Sequence, residues 1–144
     1  MSVGVRRMLP DDYERVADIW MRSGLPYQPR GRDSQERTRE QLARDSSIYL
    51  VAEDRGSIVG VLLVTHDLRK GRLNRLAVPP EEQGKGIAKE LVRRAEEELA
   101  SLGVRIMAVQ VHESNERSRA LFAELGYQEH RDIVHCSKGF GPDE

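Results

Sequence analysis

A strand, a glycine loop and a long helix follow one another between Leu73 and Leu102, and this stretch constrains the fold more than any other. The strand ends at Val78, the loop reads Gln-Gly-Lys-Gly-Ile-Ala over residues 83–88, and the helix after it is amphipathic. The first turn of a helix presents backbone N–H groups without intrahelical partners, and the helix dipole adds partial positive charge there. The stretch therefore predicts an anion-binding site at the start of this helix, and phosphate is the favoured ligand.

The two loop glycines have a physical reason to be there. Gly84 and Gly86 lack a Cβ, so the backbone can approach phosphate oxygens closely, and Lys85 adds a positive charge beside them. Two better-known phosphate loops are excluded, because Lys89 stands where the dinucleotide fingerprint needs its third glycine and the chain contains no Gly-Lys-Ser or Gly-Lys-Thr. Taken alone, the loop fits a phosphate cradle and a plain strand-to-helix turn equally well.

The composition predicts one soluble globular domain, which we place at residues 1–138, followed by a loose tail at 139–144. The chain has 23 Lys and Arg against 24 Asp and Glu, a formal net charge of −1, so no general attraction to nucleic acid or an anionic membrane is indicated. It contains no apolar run typical of a membrane span or a secretion signal, which favours the cytoplasm. The single cysteine, Cys136, has no disulfide partner, and no spacing predicts a metal site.

The order of apolar patterns predicts a mixed α/β (α+β) fold. Runs of strand length alternate with segments of helical spacing. Three antiparallel strands should lie side by side before the loop, and the strand after the long helix should run parallel to its predecessor across a right-handed crossover. We predict strands at 3–8, 48–52, 58–64, 73–78, 104–111 and 127–137, and helices at 10–24, 34–44, 87–102 and 115–126, with Asp33 as the cap of the second helix and Trp20 in the core.

Two separate segments resemble the GNAT superfamily of acetyl-CoA-dependent N-acetyltransferases. Residues 83–88 are similar to the Q/R-x-x-G-x-G/A loop of that family, and residues 115–127 are similar to its second signature, N-x-x-[A/S]-x-x-L-[Y/F]-x-x-x-G-[F/Y]. Two matches in the right order, each in its expected strand or helix context, are more specific than either alone. The residues that match the second signature are Asn115, Ser118, Leu121, Phe122, Gly126 and Tyr127.

The resemblance implies a single GNAT-like domain with a mixed central sheet of about six strands, an antiparallel N-terminal half and a βαβ cofactor-binding unit. It also implies a strand splay between residues 72–78 and 104–111, where the thioester of acetyl-CoA lies and a backbone N–H stabilises the oxyanion. Asn115 is explained equally well as a helix cap. The implied cofactor-binding residues are Leu76, Ala77 and Val78 along the pantetheine arm, Gln83, Gly84, Lys85, Gly86, Ile87 and Ala88 around the pyrophosphate, and Asn115, Ser118 and Phe122 beside the cofactor.

The implied chemistry is direct attack of a primary amine on the acetyl thioester, with both substrates bound and no covalent enzyme intermediate. Many family members have a tyrosine at the position of Phe122 to protonate the departing thiolate, and phenylalanine has no hydroxyl to donate. The general acid and the general base are therefore open. His112 is our candidate proton carrier because it follows the strand at 104–111 and histidine titrates near neutral pH; a partly exposed strand-end residue is the alternative.

The implied acceptor is a primary amine of a small molecule, protein or peptide, with neither nucleic acid nor membrane as a partner, and the chain is expected to be a monomer or a homodimer. An acyl-CoA-binding module with little catalysis is the alternative, motivated by Phe122 and the absence of an evident catalytic carboxylate. The polar segment at 25–44 is either a rim over the acceptor site or a solvated connector. Its arginines, Arg30, Arg32, Arg37 and Arg39, favour an acidic group on the acceptor or the 3′-phosphate of the cofactor, and a nucleic-acid surface conflicts with the near-zero net charge.

Overall fold

The computed structural model describes residues 3–24 and 26–142. It contains a five-stranded sheet with helices on both faces. The strands are β1 (Val3–Arg7), β2 (Ser47–Asp54), β3 (Ser57–His66), β4 (Lys70–Ala77) and β5 (Ile106–Val109). The helices are α1 (Tyr13–Arg22), α2 (Gln35–Leu42), α3 (Ile87–Ser101) and α4 (Glu116–Glu124), and short 3-10 turns lie at Pro10–Asp12 and Pro80–Glu82. Leu25 of the predicted rim, and residues 1–2 and 143–144, lie outside the described residues.

The sheet order is β1-β2-β3-β4-β5, which confirms the predicted mixed α/β architecture. The first four strands pair with their neighbours in antiparallel orientation, and β5 joins β4 in parallel after the α3 crossover. The antiparallel N-terminal half and the βαβ unit are therefore present as predicted. Among the described helices, none combines the length and the apolar character that crossing a bilayer requires.

The second strand shows why the sheet has a core on each face. Ile48, Leu50 and Ala52 belong to the cluster packed on α3, whereas Tyr49 and Val51 belong to the cluster packed on α1. Successive side chains of a strand point to opposite faces, so a strand covered on both sides is apolar without interruption. The continuous apolar run at 48–52 follows from that double burial.

A β-bulge at Asn74 changes which face of the sheet the later side chains of β4 point to. The β3–β4 register shifts there, which leaves Asn74 as the extra residue. Leu73 before the bulge and Leu76 after it both pack on the α3 side, although an unbroken strand would place them on opposite faces. The same shift moves Arg75 to the α1 side, where its guanidinium carbon lies 5.2 Å from the ring centroid of Trp20.

The β4–β5 ladder ends at this bulge. Its pairs run from Lys70 with Ile106 to Leu73 with Val109, while β4 continues to Ala77. Residues 75–77 therefore have partners in β3 and, within the described structure, neither they nor Asn74 have partners in β5. This is the splay that was predicted between residues 72–78 and 104–111.

The predicted strand at 127–137 is wrong, so the described part of the chain has five strands where about six were expected. Residues 128–142 form turns and irregular segments, and Ile133 and Val134 are 70% and 80% exposed. Because these apolar side chains are not buried, burial does not stabilise pairing of the segment with the four-residue β5. Side-chain contacts hold it instead: Arg119 with Glu129, Arg131 with Glu113, and Gln110 with His135.

Close packing of α3 on β4 generates the first prediction. A Cβ on Gly71 would lie 2.5 Å from Leu99 Cδ1, so we expect Gly71→Ala to lower the free energy of unfolding by about 1–3 kcal/mol, the usual cost of overpacking. Denaturant titration measures the change. Gly4→Ala in β1 is the matched control, because nothing lies within 4 Å of a Cβ there. In a Leu99→Ala background the cost of Gly71→Ala should nearly vanish, and an equal cost in both backgrounds would contradict the steric explanation.

Candidate active site

The loop between β4 and α3 leaves the start of α3 open to solvent. Gly84 and Gly86 both have φ of 82°, in the left-handed region that favours glycine. Gly86 is the N-cap of α3, and among the described residues no side chain makes a capping hydrogen bond there and no atom lies within 4 Å of a Cβ built on Gly86. Backbone N–H groups at this helix start are therefore accessible to an anion. The phosphate cradle itself stays a prediction.

Arg117 at the start of α4 reaches this loop, and the motif analysis missed it. Its Nη1 donates to Gln83 Oε1, and Gln83 Nε2 in turn donates to the Val78 carbonyl at 3.1 Å. Its Nη2 lies 4.0 Å from the position of a Cβ on Gly84. The second signature leaves the position of Arg117 variable, so the motif carries no signal for a charge there. The contact depends on how α4 packs beside the loop.

Lys85, predicted to lie beside the anion, forms an ion pair with Glu82. Its Nζ lies 3.0 Å from Glu82 Oε2, in an exposed pair three residues apart. An exposed pair of this kind is weak and screened by solvent. Lys85 and Arg117 are thus both available to lie beside an anion at the loop.

Along β4, the three residues predicted to meet the pantetheine arm do not share one face. Leu76 and Val78 are half-buried on the α3 side, and Ala77 is buried on the α1 side. Their common feature is the backbone that β5 leaves unpaired. Ile87 could also contact a ligand only through its main chain, because its side chain is buried in the core. Ala88 is half-buried.

The second signature spans the whole of α4, from its N-cap at Asn115 to the turn that ends it at Gly126 and Tyr127. Asn115 Oδ1 accepts a hydrogen bond from Ser118 N at 3.1 Å, so the cap interpretation is confirmed. Phe122 is buried, and its ring meets that of Tyr127 edge-on with centroids 5.2 Å apart. The Tyr127 hydroxyl donates to Glu96 Oε2 at 2.8 Å, and burial raises its pKa. This tyrosine is therefore not a free substitute for the hydroxyl that Phe122 lacks.

His112 lies in an exposed turn after β5. Its Nδ1 accepts a hydrogen bond from Ser114 N at 3.2 Å and lies 2.7 Å from Ser114 Oγ. The neutral ring then carries its proton on Nε2 and can donate from that atom. The role of His112 as a proton carrier stays a prediction, since a cavity of about 40 Å³ at the splay is lined instead by Arg72, Leu73, Asn74, Ala108 and Gln110.

Asp33 is not the cap of α2, because Ser34 takes that position and accepts a hydrogen bond from Arg37 N at 3.2 Å. Asp33 is buried instead, and its Oδ1 lies 2.8 Å from Arg75 Nη1. Its Oδ2 accepts a hydrogen bond from Gln28 N at 2.8 Å. The bulge that turns Arg75 to this face therefore creates a buried ion pair, which fastens the chain before α2 to β4.

Two tyrosines complete this attachment. The Tyr13 hydroxyl donates to the Asp33 carbonyl at 2.7 Å, and Tyr49 donates to Gln41 Oε1 in α2. Burial raises the pKa of Tyr13 and that of Tyr49 to about 12. Both hydroxyls are therefore protonated near neutral pH and act as hydrogen-bond donors. Trp20 is 1% exposed, which confirms it as a core residue.

A larger cleft, of about 520 Å³, opens between the beginning of α2 and the C-terminal segment. Arg32 and Arg37 line one side, and residues 137–141, which include Lys138 and Phe140, line the other. Part of the predicted tail thus forms a wall of this cleft. Cys136, just before that wall, is exposed.

Comparison with known proteins supplies three structural relatives. A PaiA N-acetyltransferase from Thermoplasma acidophilum in complex with coenzyme A is 22% identical, covers 89% of this chain and 91% of its own, and has a TM-score of 0.81. The aminoglycoside N-acetyltransferase AAC(6′)-Iy, in complex with a bisubstrate analogue, is 19% identical over 96% of this chain and 99% of its own, with a TM-score of 0.83.

The third relative is aminoglycoside acetyltransferase HMB0005 from an uncultured soil metagenomic sample. It is 23% identical over 98% of this chain and 100% of its own, with a TM-score of 0.79. At these identities the likeness shows a shared fold. The model of the acetyltransferase (GNAT) family matches residues 13–127, a range that contains both motifs. The chain therefore belongs to the GNAT acetyltransferase family.

Proposed function

We propose that this chain is an N-acetyltransferase that transfers the acetyl group of acetyl-CoA to a primary amine by direct attack in a ternary complex. One observation carries the proposal. The β4–β5 ladder stops at Leu73 and Val109, and the open start of α3 lies beyond the end of the same β4 strand. An extended cofactor with a diphosphate at one end and amides along its arm has matching groups at both places.

Different groups of residues bind different parts of acetyl-CoA. The main chain of residues 83–88 holds the diphosphate, with Lys85 and Arg117 as adjacent cations. The amides of the pantetheine arm pair with the edge of residues 74–77, in the manner of an added strand. Asn115, Ser118 and Phe122 lie beside the bound cofactor.

Direct transfer requires that the amine lose a proton, that the oxyanion be stabilised and that the thiolate leave. A backbone N–H on the unpaired edge of β4 is a fixed donor for the oxyanion. A thiol has a pKa of about 8.5, so its thiolate departs without an obligatory acid, which is compatible with Phe122. His112 is the proposed proton carrier at the leaving group, where its Nε2–H donates to the departing thiolate, while the proton that the amine loses passes to solvent water.

An acyl-CoA-binding module with little catalysis is the second candidate. It is favoured by the small cavity at the splay, whose described lining includes no carboxylate. Coenzyme A release, followed with a thiol reagent across a panel of amines and peptides, separates the two. Release that depends on an acceptor supports the enzyme. Calorimetric binding of acetyl-CoA without turnover on any acceptor supports the module.

We predict that Gly86→Glu abolishes acetyl-CoA binding, because it places bulk and negative charge where the diphosphate meets α3. Isothermal titration calorimetry measures the loss. Gly103→Glu is the matched control: Gly103 has φ of 86° and open space around its Cβ position, and it follows the opposite end of the same helix. This control should bind normally. Normal binding by a folded Gly86→Glu variant would refute the loop site.

We also predict that Arg117→Gln raises the Kd for coenzyme A about five- to tenfold, in line with the loss of one partly exposed charged contact. The change removes the cation beside the loop and the bond to Gln83. Arg119→Gln, two residues further in α4, is the control because Arg119 pairs with Glu129 instead. Equal effects of both variants would indicate damage to α4 rather than a loop contact.

Phe122→Tyr should keep or raise the rate of turnover, since the new hydroxyl offers a proton to the leaving thiolate. Without cofactor it should cost about 1–3 kcal/mol of unfolding free energy, the range for a buried hydroxyl without a partner. Tyr127→Phe, which removes a hydroxyl bonded to Glu96, should lower stability without changing turnover. A large loss of turnover in a well-folded Phe122→Tyr variant would contradict this expectation and show that the phenylalanine ring is needed for fit.

A further inference from the structure

Cationic side chains line the cleft between α2 and the C-terminal segment. Among its described lining residues, three carry positive charge, Arg32, Arg37 and Lys138, and none carries a carboxylate. Phe140 adds an aromatic surface that is 91% exposed. A cleft with this lining attracts a compact anion in a chain whose formal net charge is −1.

Asp33 carries the nearest described carboxylate to Arg32, but it does not neutralise the Arg32 side chain. Asp33 Oδ1 lies 2.8 Å from Arg75 Nη1, and Asp33 Oδ2 accepts a hydrogen bond from Gln28 N at 2.8 Å. Arg32 Nε is 4.0 Å from Oδ2, and the Arg32 side chain remains 47% exposed while that of Asp33 is 7% exposed. Asp33 is therefore committed to the buried Arg75, and Arg32 keeps its charge toward the cleft.

One wall of the cleft is continuous with the splay through β4. Asn74 lines the small cavity at the splay. The next residue, Arg75, pairs with Asp33, and Asp33 is the chain neighbour of Arg32. The position of Arg32 is thus fixed relative to the unpaired edge of β4.

The other wall is continuous with the splay through β5. Gln110 lines the small cavity, and its Nε2 lies 2.8 Å from His135 Nδ1. Lys138 follows three residues later, a distance of at most about 10 Å along an extended chain. Both walls of the cationic cleft are therefore connected to residues that line the splay, one through Arg75 and Asp33 and the other through Gln110 and His135.

We propose that the acceptor is a small primary amine that also carries a carboxylate or a phosphate, which Arg32, Arg37 and Lys138 bind while the amine points to the splay. The inference rests on the proposed function and names its substrate class. Guanidinium groups bind both anions with paired, charge-assisted hydrogen bonds. Phe140 covers the carbon chain between the two ends of the acceptor. A polycationic amine is disfavoured by like charge.

Matched pairs of acceptors test the charge requirement directly. O-phosphoethanolamine is compared with ethanolamine, 6-aminohexanoate with its amide, and a C-terminally amidated Asp-containing dipeptide with its amidated Asn counterpart, while sisomicin serves as the polycation. We expect kcat/KM to be about tenfold or more higher for the anionic member of a pair, in line with one or two charge-assisted contacts. The phosphate, carboxylate and peptide pairs identify which source of anion the cleft prefers.

Variants of the cleft locate the effect. Arg32→Gln, Arg37→Gln and Lys138→Met should each reduce the preference for the anionic member about three- to tenfold and leave kcat/KM for the neutral member unchanged. Arg39→Gln is the control, because it removes the same charge from α2 at an exposed position that does not line the cleft. Equal losses for both members of a pair, or an equal effect of Arg39→Gln, would overturn the proposal.

Two binding measurements separate this inference from the proposed function. Coenzyme A affinity should be unchanged in Arg32→Gln and Arg37→Gln, and a loss would assign these arginines to the cofactor and overturn the inference. Calorimetry with the coenzyme A complex should show tighter binding of the anionic amine than of its neutral partner. Such binding without turnover would reject the proposed function alone, whereas turnover of neutral or polycationic amines without preference for an anion would reject the inference alone.

Discussion

The early end of the β4–β5 ladder is the constraint on which the remaining features depend. A parallel pair of strands normally satisfies its backbone groups along its whole length, and unpaired N–H and C=O groups in a protected place are costly. Here residues 74–77 of β4 continue beyond the last pair, Leu73 with Val109. This edge needs partners from water or from a ligand, and it lies on the same strand that leads into the glycine loop. Backbone geometry rather than a set of reactive side chains thus defines the proposed cofactor site.

The bulge at Asn74 links that site to the opposite face of the sheet. One extra residue ends the regular alternation of β4 where β5 departs, and it also moves Arg75 from the α3 side to the α1 side. Once there, the Arg75 side chain is largely buried, and its charge would be unfavourable without the counter-charge that Asp33 supplies. The chain before α2, which is poor in apolar residues, is positioned by this ion pair rather than by a hydrophobic face. A single irregularity therefore shapes both the proposed cofactor site and the segment proposed to bind the acceptor.

Formal charge is close to zero over the chain, but the described cations are not evenly placed. Arg117 and Lys85 lie at the glycine loop, and Arg32, Arg37 and Lys138 line the cleft beside α2. Local fields act over roughly a Debye length, about 8–10 Å in physiological salt, so separate patches act on separate ligands. A net charge near zero gives no general attraction to a polyanion, and it carries no information about local clusters of cations such as these.

The sequence by itself determined the features that arise between near neighbours in the chain. The loop glycines, the apolar stripe of α3 and the Asn115 cap depend on local backbone angles and on contacts three or four residues apart, and the motif at 115–127 lies within one such element. Only the tertiary structure decided the bulge at Asn74, the Asp33–Arg75 pair and the contact of Arg117 with the loop, because each joins segments that are distant in sequence. The expected strand at 127–137 failed for the same reason. A strand forms only where a neighbouring edge and a buried face are available, and no local pattern contains either.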